Sequence, residues 1–414
     1  MSLPAVIESP PEEVVSGQAA LEAPSLEEPR RKPSPIGWLL GGIAWLISGV
    51  FNIACLIGCL TALAAIPILQ LIAFGYLLEV SGRLAGGSKL RDCLPKLKEA
   101  GQIGRVVLAV VLAAIPVQLL AHLESVSVLV NPDAFQATVL RFLSIAMAAF
   151  GMWYVLWAVA RGARWRDFLW PKPIRALFLA WRPSTYTELP DRLWEFTRSL
   201  ELGRFFWLGF RGLLGTLIWL IPGMIIIATN RNGETGAAGL LGALAFFALG
   251  VVMLYLPMLQ AHFAAENRFA ALFDVRRIRR LFCFAPWSWL WAFVFGLVLL
   301  PIPLYLLKIE ATPREVAWLP TLVCIAFLLP ARIIEGLAMR RARRIADQYY
   351  SGGEVKPAGE WAFASRAAAR ALMPIVILVY LGFVTASQYT SWDGLSTWVQ
   401  QHAVLIPIPF VNGV

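Results

Sequence analysis

The chain has 414 residues, of which 58% are hydrophobic and 15% are charged, and its mean hydropathy is +0.67. Soluble domains are about 45–50% apolar and about 25% charged, so this composition excludes an ordinary soluble fold and indicates a multi-pass membrane protein. A net charge of +10 raises nucleic acid as a partner, but most arginines flank apolar runs, which is the pattern of membrane topology signals. No nucleic-acid partner is therefore expected.

The first 35 residues predict a tail. Six glutamates, with repeated Pro and Ser and few large apolar side chains, cannot bury enough surface to offset the entropy of ordering. The first basic residues, Arg30, Arg31 and Lys32, come too late in the chain for the start of a signal peptide. We expect residues 1–35 to form a disordered, acidic and Pro-rich cytoplasmic tail.

The first apolar run extends without a charge over the 43 residues from Ile36 to Leu78. One straight helix of this length, at about 1.5 Å per residue, would be about twice as long as the hydrocarbon layer is thick. Basic residues both precede and follow the run, which places its two ends on the same side of the membrane. We expect two passes with a tight turn near Cys55 to Thr61, where Gly58 is available; a single broken span is the alternative.

The later apolar runs predict seven more spans. We expect these at Val106–Leu120, Val139–Ala160, Phe205–Ala228, Ala237–Ala261, Trp287–Leu307, Trp318–Met339 and Ala371–Gln388. Backbone polar groups must be satisfied within the bilayer, and these runs do not alternate as transmembrane strands do. The sequence therefore predicts an all-α fold, a polytopic transmembrane helix bundle of about eight to nine passes with short interfacial amphipathic helices. This domain covers residues 36–388, and residues 389–414 form an external C-terminal tail.

The distribution of Lys and Arg orients the spans. Thirty of the 36 basic residues fall in the tail and in segments 81–105, 161–204, 262–280 and 340–370, whereas the other six fall in the loops between them or within spans. Because cytoplasmic loops of membrane proteins carry the excess of positive charge, this asymmetry places the N-terminus in the cytoplasm and the C-terminus outside. We expect a multi-pass protein of the cell inner membrane.

The stretch from Pro257 to Phe282 predicts a hinge between two spans. At 100° per residue, Val275, Ile278, Leu281 and Phe282 share one face of a short helix. The opposite face carries Arg276, Arg277, Arg279 and Arg280, and Asp274 is the expected N-cap residue. Such a helix is expected to lie flat, with its apolar face in the headgroup boundary and its arginines toward anionic lipid. The alternative is that these arginines are topology signals only.

A short repeated sequence pattern raises the question whether the two halves of the chain arose by duplication. Pro67 to Gln70 and Pro257 to Gln260 share the pattern P-x-L-Q, and each precedes a basic segment. Two related four-helix halves, residues 36–204 and 205–370, would be parallel repeats of the kind found in some transporters. Chance is the alternative, since short motifs recur without common origin.

Residues with catalytic or metal-binding chemistry are scattered. The three histidines lie in three different loops or span ends, the five cysteines show no CxxC spacing, and nucleotide-binding and hydrolase motifs are missing. His262 and Glu266 are spaced i, i+4 and are open to interpretation as an acid–base pair, although a structural role at a span end is favoured. We expect no catalytic residues, no metal, no cofactor and no enzymatic activity.

Polar residues within the expected spans are the usual indication of a transport path. Six are candidates: Asn52, Gln70, Gln118, Arg211, Arg332 and Glu335. Arg332 and Glu335 are three residues apart on one helix and are expected to neutralise each other. Because no chain of acidic residues crosses the bilayer, hydrogen bonds between helices are favoured over a solute pathway for the set.

Two stretches carry a resemblance to a known group of proteins. These are Phe263-Ala264-Ala265-Glu266-Asn267-Arg268-Phe269, continuing to Arg280, and Gly75-Tyr76-Leu77-Leu78. The chain there resembles bacterial multi-pass membrane proteins grouped only as a domain of unknown function. The resemblance implies a helical inner-membrane protein without an assigned activity, offers no functional residues to carry over, and does not extend to the basic segment 161–204.

The sequence thus favours a non-enzymatic integral membrane protein that organises lipid or partner proteins through its basic cytoplasmic face. The expected partners are membrane lipids, above all anionic ones, together with protein partners or further copies of the chain. A small-solute transporter or permease-like protein is the alternative, which a water-filled cavity at the bilayer midplane would favour.

Overall fold

The computed structural model describes residues 35–131, 135–169, 183–229, 238–301, 318–352 and 360–388. The expected tails, residues 1–34 and 389–414, lie outside the described residues. Within the described ranges every regular element is helical, which confirms the all-α fold.

The helices of these ranges differ widely in length. In chain order they are α1 (Pro35–Ala64), α2 (Gln70–Ala85), α3 (Leu97–Val130), α4 (Phe135–Ala160), α5 (Trp165–Leu169), α6 (Pro183–Ser199), α7 (Leu202–Thr229), α8 (Ala238–Glu266), α9 (Val275–Phe282), α10 (Pro286–Phe293), α11 (Trp318–Tyr350) and α12 (Glu360–Gln388). Short 3₁₀ turns occupy Leu90–Asp92 and Phe269–Phe273, and a π-helical turn, Val294–Leu299, continues α10.

Seven of the described helices are long and apolar enough to cross a membrane. They lie in α1, α3, α4, the α6–α7 region, α8, α11 and α12, and the pair α9–α10, bent by 110°, makes an eighth if it counts as one span. The protein is therefore an integral, multi-pass membrane protein. Among the described residues α2 is not one of these helices, because its 16 residues span about 24 Å at 1.5 Å per residue, which is shorter than a hydrocarbon layer of about 30 Å.

The first apolar run is divided into two helices, but the turn is not where we expected it. Gly58 lies inside α1 with open space around it, and the break falls at residues 65–69 instead of Cys55 to Thr61. A glycine is tolerated within a helix, whereas Pro67 has no N–H to donate and disfavours helical geometry at the residue before it. Ile68 then takes a left-handed conformation, with φ of 73°.

Inter-residue contacts divide the chain into two compact units, Met1–Ser48 and Gly49–Val414. The described part of the first unit is the N-terminal part of α1. All packing described below lies within the second unit.

The short helix α2 is the centre of the second unit. Thirteen of its 16 residues are buried, and it packs against α7, α8 and α11. Two glycines allow the closest of these contacts, because a Cβ built on Gly75 would overlap the carbonyl oxygen of Phe205, and one on Gly209 would overlap that of Leu71. Small residues at such crossings are what lets transmembrane helices approach closely. The sequence contains these glycines but does not show which helices they join.

The two copies of the P-x-L-Q pattern lie in two different local structures. Pro67 lies in the exposed turn before α2, whereas Pro257 lies inside α8, and Gln260 is buried and donates a hydrogen bond of 2.7 Å to Thr216 of α7. The four-residue pattern alone therefore gives no equivalence between the proposed halves.

Candidate functional site

Contacts between distant segments gather charged side chains at one end of α2, α7, α8 and α11. The joining contacts are Arg105 Nε to the Ala163 carbonyl (2.8 Å), Lys96 Nζ to Glu201 Oε1 (2.8 Å), Arg204 Nη2 to Glu79 Oε1 (2.6 Å), Arg340 Nη1 to the Ser88 carbonyl (3.1 Å) and Arg343 Nη2 to Glu266 Oε1 (3.3 Å). These contacts link parts of the four basic segments 81–105, 161–204, 262–280 and 340–370. We call the surface they form the arginine-rich end.

Helix α9 forms at the arginine-rich end with the predicted boundaries. The side chain of Asp274 accepts a hydrogen bond of 3.1 Å from the backbone N–H of Arg277, so the predicted N-cap is confirmed. The helix axis then turns by 110° into α10. The predicted hinge between two apolar segments is therefore present.

The apolar face of α9 does not lie where we expected it. Ile278, Leu281 and Phe282 are 2%, 7% and 9% exposed, and they pack into the protein core on the side of α8 and α11. An amphipathic pattern shows only that one face avoids water, and here the neighbouring helices cover that face. The expectation that Ile278 and Leu281 enter the headgroup boundary is therefore wrong.

The four arginines of α9 remain on the outer side of the helix. Arg276, Arg277, Arg279 and Arg280 are all exposed. Because the apolar face is anchored in the core, these guanidinium groups are presented by a helix that is fixed to the rest of the protein.

A cluster around Glu266 joins α8, α9 and α11. Its carboxylate oxygens lie 3.3 Å from Arg343 Nη2, 3.5 Å from Arg277 Nη2 and 3.6 Å from Arg268 Nη2. His262, which is 1% exposed, has Nδ1 at 2.5 Å from Arg343 Nη2 and at 4.0 Å from Glu266 Oε1. Glu266 is within ion-pair distance of three arginines and His262 contacts one of them, so these contacts support the structural interpretation of His262 and Glu266.

Two polar clefts open at the arginine-rich end. The α9–α11 cleft has a volume of about 600 Å³ and is lined by Arg277, Arg280 and Arg343 together with Asp274 and Asp347.

The second, the α2–α7 cleft, has a volume of about 350 Å³ and is lined by Arg83, Arg204 and Arg211 around Glu79. Arg211 donates to the Asn267 carbonyl at 3.3 Å and to the Asn267 side chain, so it belongs to this end of the molecule.

A third, mainly apolar depression lies between α8, α9, α10 and α12. We call it the α8–α12 groove. Its volume is about 310 Å³, and its lining includes Leu254, Trp289, Met373 and Pro374. Two arginines, Arg279 of α9 and Arg370 of α12, also line it.

The remaining polar residues of the expected spans are not brought together. Arg332 and Glu335 form a hydrogen-bonded ion pair of 3.0 Å, and the side chains are 2% and 3% exposed, which confirms the predicted pairing. Asn52 lies beside Gly101 of α3, Gln70 begins α2, and Gln118 is exposed on α3. In the described ranges no hydrogen bond joins these three side chains to one another. The same ranges contain no group of three or more His, Cys, Asp or Glu that could hold a metal ion.

Sequence reasoning missed Arg343 and Arg370. Each contacts residues more than 80 positions away along the chain, Arg343 with His262 and Arg370 with Cys283. The RRARR run at Arg340–Arg344 was visible as a basic segment, but spacing along the chain does not indicate which of its members turns inward.

One family matches part of the chain. Residues 187–309 match the family described as "Protein of unknown function (DUF4013)", which confirms the resemblance to a domain of unknown function. The match includes Phe263 to Arg280 and reaches back into the basic segment 161–204, to which we had not extended the resemblance, and it leaves out Gly75 to Leu78. No curated protein and no solved structure matches the chain.

Proposed function

We propose that this protein is a non-enzymatic membrane protein that gathers anionic lipid at its arginine-rich end. The observation that carries the proposal is the anchoring of α9, whose apolar residues are buried in the core while its four arginines face outward. Near a negatively charged leaflet each such arginine contributes about 1 kcal/mol, reduced by salt. A fixed helix presents these charges together, without the cost of ordering a flexible segment on binding.

The orientation belongs to the same proposal. Four basic segments meet at one end of the second unit, and the positive-inside rule favours the cytoplasmic side for that end. The N-terminus is then cytoplasmic and the protein lies in the inner membrane, where anionic headgroups face the arginine-rich end.

The transporter alternative has less support. Deep in α11, the charges of Arg332 and Glu335 are paired with each other, so neither offers an uncompensated charge to a solute. Among the described residues, no hydrogen bond joins Asn52, Gln70 and Gln118, the uncharged candidates for a polar pathway, to one another. The lipid proposal uses the exposed arginines, whereas transport would need a polar path across the bilayer.

The test is a lipid-binding measurement on the delipidated, purified full chain in a neutral detergent. We expect phosphatidylglycerol to be retained in preference to phosphatidylcholine, and Arg276→Gln/Arg280→Gln to reduce that preference by roughly thirty-fold, from about 1 kcal/mol for each charge. Arg141→Gln, an exposed arginine on α4, is the matched control and should change nothing. Equal retention of the two lipids by the parent protein would overturn the proposal.

A further inference from the structure

The α8–α12 groove combines an apolar lining with two arginines. Leu254 of α8, Trp289 of α10 and Met373 of α12 line it, and Arg279 and Arg370 approach it from two different helices. Its volume of about 310 Å³ is at the lower end of the range of ligand-binding pockets, about 300–1,000 Å³. The groove is therefore large enough to hold part of an elongated apolar molecule.

The two arginines are not neutralised by protein carboxylates. Arg370 lies over the ring of Phe282 at 5.8 Å, and its Nη2 lies 3.7 Å from the Cys283 sulfur, which is a weak acceptor. In the described part of the chain neither Arg279 nor Arg370 forms an ion pair, and both are exposed. A guanidinium group has five N–H donors, so the pair offers many donors to an anion.

The two polar clefts differ in this respect. In the α9–α11 cleft the arginines stand beside Asp274 and Asp347, and Glu266 is close to Arg277 and Arg343. In the α2–α7 cleft Glu79 accepts from Arg83 and Arg204. The α8–α12 groove is the one of the three whose lining has arginines without an acidic side chain.

A proline of α12 lies in the lining of the groove. Pro374 lies inside α12 and has no N–H, so it cannot donate the usual helical hydrogen bond to the carbonyl of Arg370. That carbonyl is an acceptor at the same level of the helix as the Arg370 side chain. Pro374 and Arg370 thus lie one helical turn apart, and both line the groove.

We propose that the α8–α12 groove binds one anionic phospholipid, with its phosphate between Arg279 and Arg370 and its acyl chain along Leu254, Trp289 and Met373. This inference rests on the proposed function and adds to it one defined lipid site, separate from the outer arginines Arg276 and Arg280. The apolar lining selects a lipid over free inorganic phosphate, because a small hydrated anion gains nothing from covering that surface. The two arginines select an anionic headgroup over an uncharged one.

Cys283 provides a local readout. Its sulfur lies beside Arg370, and the side chain is half-buried, so a bound lipid should slow alkylation of this thiol. The experiment follows alkylation of Cys283 by N-ethylmaleimide in the delipidated full chain, with the modified peptide quantified by mass spectrometry. The probes are phosphatidylglycerol, diacylglycerol with the same chains, and inorganic phosphate.

We expect protection by phosphatidylglycerol alone. Arg279→Gln/Arg370→Gln should raise the phosphatidylglycerol concentration needed for half-protection by roughly thirty-fold, whereas Arg141→Gln, at an exposed position on α4, should leave it unchanged. Arg279→Lys/Arg370→Lys, which keeps the charge, should fall between. If the double Gln variant does not fold, the single variant Arg279→Gln, at an exposed position, should raise that concentration by roughly five-fold.

The outcomes separate this inference from the proposed function. Retention of phosphatidylglycerol by the whole protein without protection of Cys283 would overturn the groove site and leave the proposed function standing. If the protein neither retains phosphatidylglycerol nor shows protection of Cys283, the groove site and the proposed function are both overturned. Equal protection by inorganic phosphate would show a free-anion site, and equal protection by diacylglycerol would show an apolar site without headgroup recognition; either result overturns the inference.

Discussion

Arg343 Nη2 lies 2.5 Å from Nδ1 of His262, in a contact between residues 81 positions apart in the chain. Because an arginine only donates, Nδ1 is the acceptor, and this assigns the imidazole proton to Nε2. The same guanidinium group lies 3.3 Å from Glu266 Oε1. One arginine of α11 therefore holds two residues of α8.

Removing that arginine should loosen the two helices. Arg343→Met leaves His262, which is 1% exposed, without its partner, and we expect a loss of about 1–3 kcal/mol of stability. Thermal unfolding of the purified protein measures the effect. Arg344→Met, at the exposed neighbouring position, is the control and should stay within about 0.5 kcal/mol of the parent. A shift of equal size in both variants would contradict the assigned role.

The crossing of α2 and α7 depends on two glycines. In Gly75→Ala the new methyl group overlaps the Phe205 carbonyl, and forcing the helices apart should cost about 1–3 kcal/mol or more. Gly58→Ala is the matched control, because nothing lies within 4 Å of its Cβ position and alanine is the better helix former by about 1 kcal/mol. Gly75→Ala should lower the melting temperature of the protein, and Gly58→Ala should raise it. If Gly75→Ala were as stable as the parent, the close crossing would be refuted.

The buried pair in α11 should show strong coupling. Arg332→Met or Glu335→Leu alone leaves one charge in a dry environment, and each should cost about 3–5 kcal/mol. The double variant has no uncompensated charge and should be more stable than either single variant. A double-mutant cycle on unfolding free energies measures the difference, and simple additivity would argue against the pair as an energetic unit.

Surface labelling tests the proposed orientation. Two positions are changed to cysteine, one in each variant. Lys89→Cys places the thiol at the arginine-rich end, and Phe135→Cys places it at the exposed start of α4. With a membrane-impermeant maleimide on intact cells, we expect labelling at position 135 and none at position 89 until the membrane is opened. The reverse pattern would invert the topology.

Local signals in the sequence were sufficient for several elements. The 100° periodicity and Asp274 predicted the limits of α9, and the i, i+3 spacing predicted the Arg332–Glu335 pair, because in both cases the interacting groups lie within one helical turn or two. The basic segments were predicted only to share one side of the membrane; the contacts among them were not predicted.

Long-range packing could not be read in the same way. The periodicity of α9 shows that Ile278 avoids water, but it does not show whether lipid or protein covers this side chain, since both exclude water. The central position of α2 was hidden because its sequence is as apolar as a lipid-facing span, and its buried glycines become informative only when Phe205 and Leu71 are known to oppose them. The α8–α12 groove joins residues from Leu254 to Pro374, a separation beyond any local pattern.

The enclosure of α2 has a consequence during synthesis. The helix ends at Ala85, and α7, the first of the helices that enclose it, begins at Leu202, more than a hundred residues later. At roughly 5–20 residues per second, the nascent chain holds α2 for several seconds before its neighbours emerge. During that interval Glu79 has Arg83 as a partner on its own helix but not yet Arg204. A chain that stalls before α7 is made would leave the surface of α2 that normally packs against α7 open to membrane quality-control proteases.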